Sequence, residues 1–275
     1  MRVTIDLHTH SNKSDGTDSP HELVQKAAAI GLEVVALTDH DSTEGWAEAA
    51  RAAKHAEIRL IKGIEISTKL HGKSIHLLGY EFDPTNTPLL TELGKVLDGR
   101  NSRLPATLER LRDLGIDIDA KDVRRHSSNA AAMGRPHVAD ALVELGVVAN
   151  RDEAFAQYLT PGKPAYVDRY AADLVTAIQL VKAAGGRTVL AHPWSRGSQR
   201  VLTRTQMAAL KDVGLDGLEV DHNDHDAQAR AELGHIAREL DLVHTGSSDY
   251  HGTGKIDFEL GCNTTAPAQF DRLFG

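Results

Sequence analysis

Short apolar runs that lead into histidine or a carboxylate recur along almost the whole chain, and they restrict the fold more than any other feature. The run 34–37 (Val-Val-Ala-Leu) delivers Thr38-Asp39-His40-Asp41, the run 188–191 ends at His192-Pro193, and 215–220 ends at Asp221-His222-Asn223. The run 242–245 leads to Ser247-Ser248-Asp249-Tyr250-His251, while 58–66 carries Glu65 and 74–80 carries His76. At the amino end Val3, Ile5 and Leu7 alternate with Asp6, His8 and His10, the period of two of a strand with one apolar and one polar face. Three potential metal ligands then share a strand face. Burial penalises that arrangement unless something such as a divalent cation offsets the desolvation.

Helical signals lie between the runs. Ser19, Pro20 and Glu22 form a cap, a first turn and a capping box, and Gly31 stops the helix. An Ala-rich helix is expected at 43–55 and another at 227–240; Leu174, Ile178 and Val181 mark one at 171–184 that closes on Gly185-Gly186. Strands alternating with helices imply parallel βαβ units. Seven strands fit this logic, and His40, Glu65, His192, His222, Asp249 and His251 all fall at or just beyond strand ends. Side chains gathered from nearly every strand point to an α/β fold, a distorted (β/α)7 barrel, because an open sheet would gather its ligand at one crevice.

Residues 100–166 lack strand signals, and Leu104, Leu108 and Leu111, then Val138, Leu142 and Leu145, are spaced for helices. The expected organisation is a barrel from 1–99 and 167–275, with a helical insertion at 100–166 that forms a substrate cap. Arg124-Arg125-His126 and Gly134-Arg135-Pro136-His137 give the insertion a cationic, Gly-containing pocket composition. Ligand sites favour such junctions.

A formal net charge of −8 with no polybasic run argues against a grip on long duplex nucleic acid. No apolar run approaches the ~20 residues of a membrane span. The amino end passes straight into a strand, so no membrane partner and a cytoplasmic location are expected. Cys262 stands alone, so no internal disulfide can form, and it is expected to be a small buried residue instead of a nucleophile. The 15 His against 5 Phe, 5 Tyr and 2 Trp favour metal chemistry over base stacking.

Asp6-x-His8-x-His10, Thr38-Asp39-His40-Asp41, Gly63-Ile64-Glu65-Ile66, His76, Ala191-His192-Pro193 and Ser248-Asp249-Tyr250-His251, in that order, resemble the motifs of the PHP (polymerase and histidinol phosphatase) metallo-phosphoesterases. The resemblance implies a distorted seven-stranded barrel with up to three divalent ions, manganese foremost, with zinc or iron as alternatives. It implies that His8, His10, Glu65 and Asp249 hold one ion, and that Glu65, His76 and His192 hold a second, with Glu65 bridging. Asp15, His40 and His251 would hold the third. Asp6 is expected to orient a ligand histidine, and Asp39 and Asp41 to be structural or outer residues. The insertion motif at Arg135, together with Glu219-Val220-Asp221-His222, is similar to the branch acting on nucleotides, which includes 3′,5′-nucleotide bisphosphate phosphatases and 5′–3′ exoribonucleases.

An imidazole and carboxylate set without thiolate suits manganese, zinc or iron. Three dications against Asp15, Glu65 and Asp249 leave a local charge of about +3, which invites a phosphate dianion whatever the net charge of the chain. The expected reaction is hydrolysis of the 3′-phosphate of nucleoside 3′,5′-bisphosphates, such as adenosine 3′,5′-bisphosphate, by attack of a metal-bridging hydroxide on phosphorus. Glu65 and Asp249 would act catalytically through the metals. Arg135 would hold the second phosphate, and His222, beside Asn223, would contact a phosphoryl oxygen or protonate the leaving alkoxide. Asn223 is a further substrate contact, and Arg124, Arg125 and Lys163 are weaker candidates. The alternatives are a 5′–3′ exoribonuclease acting on short 5′-phosphorylated oligonucleotides, a histidinol-phosphate phosphatase, a non-catalytic metal-binding module and a C–N amidohydrolase. The last is disfavoured because Glu65 stands where a modified lysine would bridge two metals.

Overall fold

The alternating segment at the amino end forms β1, Ile5–Asp6, which pairs in parallel with β2, Val34–Leu37. The computed structural model describes residues 4–127 and 130–275, so Val3 lies outside the described residues. Between these strands runs α1, Pro20–Ala29, entered through the expected capping box: Ser19 accepts from the Glu22 amide while Glu22 accepts from the Ser19 amide. Next, α2 (Trp46–Ala56) leads to β3, Arg59–Leu70, which pairs in parallel with β2.

The all-parallel expectation fails at β4, Lys73–Tyr80, which runs antiparallel to β3. His71 and Gly72 join the two strands with φ of 48° and 78°, the pair of left-handed residues that a tight two-residue hairpin requires. His76 therefore reaches the rim from the first half of a descending strand. Glu65 sits in the middle of β3, not at its end, because that strand continues past the rim to Leu70.

The chain then leaves the barrel through α3 (Thr87–Asp113), α4 (Ala120–Arg125), α5 (Arg135–Glu144) and α6 (Arg151–Ala154), the last continued by a π-helical turn at Phe155–Leu159. It returns through β5, Ala172–Asp173, laid beside β3, and α7, Leu174–Ala183. The remaining alternation is β6 (Arg187–Ala191), α8 (Arg204–Asp212), β7 (Gly217–Asp221), α9 (Ala227–Glu239), β8 (Val243–Gly246) and α10 (Pro267–Phe274). Strand order is β1-β2-β3-β4-β6-β7-β8, with β4 antiparallel to β6 as well. A parallel bridge between Thr9 and Tyr250 draws the two ends together, so the seven strands on this path form a nearly closed barrel. His10 N donates to Tyr250 O and Asp249 N to His8 O across that seam, at 2.8 and 2.9 Å.

Ile5, Leu7, Ala36, Ile61, Leu78, Tyr80 and Val189 fill the barrel interior, and Phe270 and Leu273 of α10 close its floor. A larger layer, including Leu23, Leu37, Ile64, Leu77, Ile178, Leu190, Leu218 and Leu233, lies between sheet and helices. Each fully buried side chain of this kind contributes about 1.5–3 kcal/mol. The floor and walls are apolar. Polar chemistry is thereby confined to the upper rim.

Residues 104–165 have a core of their own, built on Leu104, Leu108, Leu111, Ile118, Val123, Val138, Leu142 and Leu159. The helix α3 serves both layers: Leu89, Leu93 and Val96 pack on the barrel, while Leu104 and beyond pack in the insertion. Position 100 thus falls inside a continuous helix. Among the described residues, no helix is long and apolar enough to cross a membrane.

Candidate metal centre

The rim brings together every side chain expected to ligate metal. His8 and His10, two residues apart on the extended segment after β1, are buried with their Nε2 atoms 3.0 Å from each other. Glu65 projects between them from β3. Its Oε2 lies 3.3 Å from His8 Nε2, 3.1 Å from His10 Nε2 and 3.1 Å from His40 Nδ1. Its Oε1 lies 2.6 Å from His76 Nδ1 and 3.1 Å from His192 Nε2. Asp249 Oδ1 is 3.5 Å from His8 Nε2, 3.4 Å from His10 Nε2 and 3.5 Å from His251 Nδ1. Asp15, on the loop after β1, reaches His251 Nε2 at 3.4 Å and His40 Nε2 at 3.6 Å.

Three groups can each offer one atom apiece within 4.8 Å of one another: His8, His10, Glu65 and Asp249; His40, Glu65 and His76; and His10, Asp15, His40 and His251. The first matches the expected set. The second takes His40 where His192 was expected, although His192 still touches the bridging carboxylate, and the third adds His10.

The donor set fits cations. His8 Nε2 and His10 Nε2 face each other, and with one oxygen each from Glu65 and Asp249 they make four atoms that converge on one point. Asp15 Oδ1 and His40 Nδ1 are buried and, among the described residues, have no hydrogen-bond partner. Buried imidazoles and carboxylates that converge in this way suit a metal ion, which replaces the imidazole protons.

Ionisation follows the same geometry. Burial opposes the charge on Glu65, yet the imidazoles of His40, His76 and His8 hold its carboxyl well below the usual range. Burial likewise opposes the charge on His10, but the carboxylates of Asp249 and Glu65 push it up to about 9. His8 is raised well above its ordinary value, against burial, by Glu219, Glu65 and Asp249. Burial pulls His192 down to about 4 and lowers His40, His76 and His251. Those four are neutral at pH 7, whereas a cation entering the rim would have to displace protons from His8 and His10.

Outer contacts fix the ligands. Glu219, which the sequence analysis placed only within a motif, is fully buried; its Oε1 holds His8 Nδ1 at 3.0 Å and its Oε2 accepts from the His192 amide at 2.7 Å. That is the orienting role expected of Asp6. Asp6 instead lies deeper along the strand and accepts from the backbone amides of Ser248 and Gly261, at 3.0 and 2.9 Å. Asp39 accepts from Ser11 and Ser14, and Asp41 from Ser67 and Arg100, so both are outer residues. His192 and Asp249 sit at φ of 28° and 54°, strained turns held by the amide bonds just described. Gly16 lets the Asp15 loop pass against His10, since a Cβ there would collide with the His10 carbonyl.

A bulge at Val220 in β7 turns Asp221 outward to His244 Nε2, at 2.8 Å, and His222 inward. His222 is fully buried. Its Nδ1 accepts from the Asp224 amide at 3.0 Å, so Nε2 carries the proton and donates to Asp249 Oδ2 at 3.2 Å. The Asn223 side chain is occupied elsewhere: its amide donates to Asp257 O and its Oδ1 accepts from Asn263 at 2.7 Å. Cys262 is exposed, not buried, because the segment after β8 carries it out over Asn223.

The buried cationic group of the insertion includes the expected Arg135 but not Arg124, Arg125 or Lys163. Arg125 pairs with Asp122 and Glu144, His126 with Glu144, and Arg124 and Lys163 are exposed. Arg135 lies 5.6 Å from the ring centres of both Phe155 and Tyr166, with Nη1 donating to Leu159 O at 3.0 Å. Beside it Arg103 is 7% exposed and, among the described residues, bonds to no carboxylate. Burial, reinforced by neighbouring guanidiniums, lowers Arg103 to about 8 and both Arg135 and Arg169 to about 10. Arginine keeps its proton at neutral pH, so the shifts measure the cost of holding uncompensated charge there. Arg100 joins this group to the rim: it binds Asp41 at 2.6 Å and lines a small cavity with Ser14, Asp15, His40, Gly134 and His137.

A family model for the PHP domain matches residues 6–176. The chain belongs to the PHP family. It is 38% identical, over 91% of each chain, to a protein of Haemophilus influenzae named 5′-3′ exoribonuclease. It is also 33% identical to the 3′,5′-nucleoside bisphosphate phosphatase of Chromobacterium violaceum, over 96% of this chain and 93% of that one. A crystal structure from Bifidobacterium adolescentis, named as a metal-dependent phosphoesterase, superposes with a TM-score of 0.94 at 35% identity, over 99% of this chain and 96% of that one. This PHP protein is accordingly a metal-dependent phosphoric ester hydrolase.

Proposed function

We propose that the protein removes the 3′-phosphate of nucleoside 3′,5′-bisphosphates. The observation that carries this reading is the buried guanidinium group beside the imidazole and carboxylate centre: one molecule with two phosphates satisfies both. His8, His10, Asp15, His40, Glu65, His76, His192, Asp249 and His251 would hold up to three divalent cations, with manganese favoured by the hard carboxylates and intermediate imidazoles. When bound, such ions lower the pKa of water towards 7 and neutralise phosphoryl oxygens.

The side chains then divide the work. Arg103 and Arg135 take the 5′-phosphate, where a dianion relieves their mutual repulsion and accepts charge-assisted hydrogen bonds. Phe155 and Tyr166 keep the Arg135 guanidinium in one plane. The His222 Nε2–H, which bonds Asp249 Oδ2, would donate a hydrogen bond to a phosphoryl oxygen or to the departing 3′-oxygen, which takes its proton from water. Glu219 holds His8 and the His192 backbone in place throughout.

Phosphate release from adenosine 3′,5′-bisphosphate, adenosine 3′-monophosphate and histidinol phosphate tests the reading on manganese-loaded protein. Preference for the bisphosphate is expected, and preference for histidinol phosphate would end it. A second reading, stepwise cleavage of 5′-phosphorylated oligonucleotides, is favoured by the likeness to the Haemophilus exoribonuclease and uses the same two subsites. A ten-mer cut faster than a dinucleotide would favour it.

A further inference from the structure

The loop that carries Asp15 is gripped along its backbone by the insertion. The Ala131 amide donates to Lys13 O at 3.0 Å, and Arg151 Nη1 donates to Asp15 O at 3.3 Å. Two carbonyls of a barrel loop, Lys13 and Asp15, are thus held from outside the barrel. The same Nη1 donates to Gly254 O at 3.1 Å, three residues beyond His251. Asp140 of α5 holds the other edge of the guanidinium, at 2.5 Å to Nε and 2.6 Å to Nη2. A Cβ at Gly254 would collide with Nη1, so glycine is what lets the guanidinium span both loops.

The ligands served by this clamp are particular ones. Glu65 and His76 lie within paired strands, and His8 and His10 lie on the seam beside Tyr250, so ladder hydrogen bonds fix them. Asp15 and His251 sit on loops. Inside the barrel those loops meet at Thr17, whose amide donates to His251 O at 3.1 Å, and Ser11 and Ser14 are tied to Asp39, whereas the Lys13 and Asp15 carbonyls are held by the insertion. Arg151 is charge-balanced by Asp140 and has its donors committed, so it is not available to an incoming anion.

We infer that the insertion completes the third cation site, with Arg151 as the positioning residue that sets the gap between the Asp15 and His251 loops. This rests on reading the rim as a metal centre. A bidentate, charge-assisted anchor on Asp140 makes the spacing rigid, and a displaced carboxylate loses affinity for its ion.

Manganese titration of the apo protein by calorimetry, with bound metal counted by elemental analysis, tests the inference. Wild type should take three ions. Arg151→Met should weaken the third by roughly 10–100-fold and leave the first two unchanged, the size typical of lost outer contacts to metal ligands. Asp140→Asn, which keeps shape and removes the anchor charge, should shift the same ion by less. Unfolding of each apo variant by heat separates positioning from general support. Three ions bound as in wild type, or all three weakened together with a lowered apo melting temperature, would overturn the inference while leaving the metal centre intact. Wild-type protein that takes no manganese would overturn the metal reading as well.

Discussion

At the barrel rim one carboxylate, Glu65, meets five imidazoles, whereas in the insertion Arg103, Arg135 and Arg169 lie close together with, among the described residues, no bonded carboxylate. Both regions bury charge, and each is incomplete alone. The rim gathers imidazoles and carboxylates, a donor set that suits cations. The insertion offers protons with too few lone pairs and calls for an anion. A phosphate ester with a second phosphate joins the two, and Arg100, bound to Asp41 and lining the cavity beside Asp15 and His40, stands at their border.

The largest effect should come from the rim. Glu65→Gln removes the charge shared by the groups that could hold metal, and kcat should fall by about 10³-fold, since metal stabilisation of the transition state is worth several kcal/mol. Steady-state phosphate release measures it, and a loss below tenfold would break the rim side of the comparison. Glu219→Gln keeps the shape but loosens His8 and His192; manganese affinity should weaken by roughly 10–100-fold. Titration with an indicator dye would show this.

The insertion side predicts a different signature. Arg103→Met should lower kcat/KM for adenosine 3′,5′-bisphosphate by about 10–100-fold, as for a charged hydrogen bond worth 1.5–3 kcal/mol. Turnover of adenosine 3′-monophosphate should stay unchanged. Equal losses on both substrates would place Arg103 in the fold and not in recognition.

Acidity sharpens the contrast further. His10 is raised to about 9 by Asp249 and Glu65, so below that pH its proton competes with metal. Apparent manganese affinity should therefore fall as pH drops from 9 to 6, by about tenfold per unit for each proton displaced. A flat profile over that range would contradict the protonated state of the metal-free rim. The smallest effect belongs to Arg125→Ala. This exposed arginine pairs only with surface carboxylates, and both stability and turnover should stay within about 0.5 kcal/mol of wild type.

The rim is largely legible in the sequence because its ligands sit at strand ends, where a local motif and a global position coincide. His8, His10, His40 and His192 follow from that rule. The reversal of β4 does not, although His71-Gly72 between two apolar runs is the kind of pair a tight hairpin needs. Glu219 carries no local mark, since an acidic residue inside a strand shows its use only when β1 closes against β8. The guanidinium group is hidden differently. Arg100 and Arg103 share a helix face with Leu104, Thr107, Leu108 and Leu111, all buried. Arginine on an apolar helical face is the available sign, whereas Arg124 and Arg125 follow composition alone and end on the surface.

Anomalous diffraction from crystals soaked in manganese tests the central claim most directly. The account predicts peaks inside the rim: one among His8, His10, Glu65 and Asp249, one at Glu65 and His76, and one at Asp15, His40 and His251. Well-diffracting crystals with an empty rim, or with manganese bound only elsewhere, would contradict it.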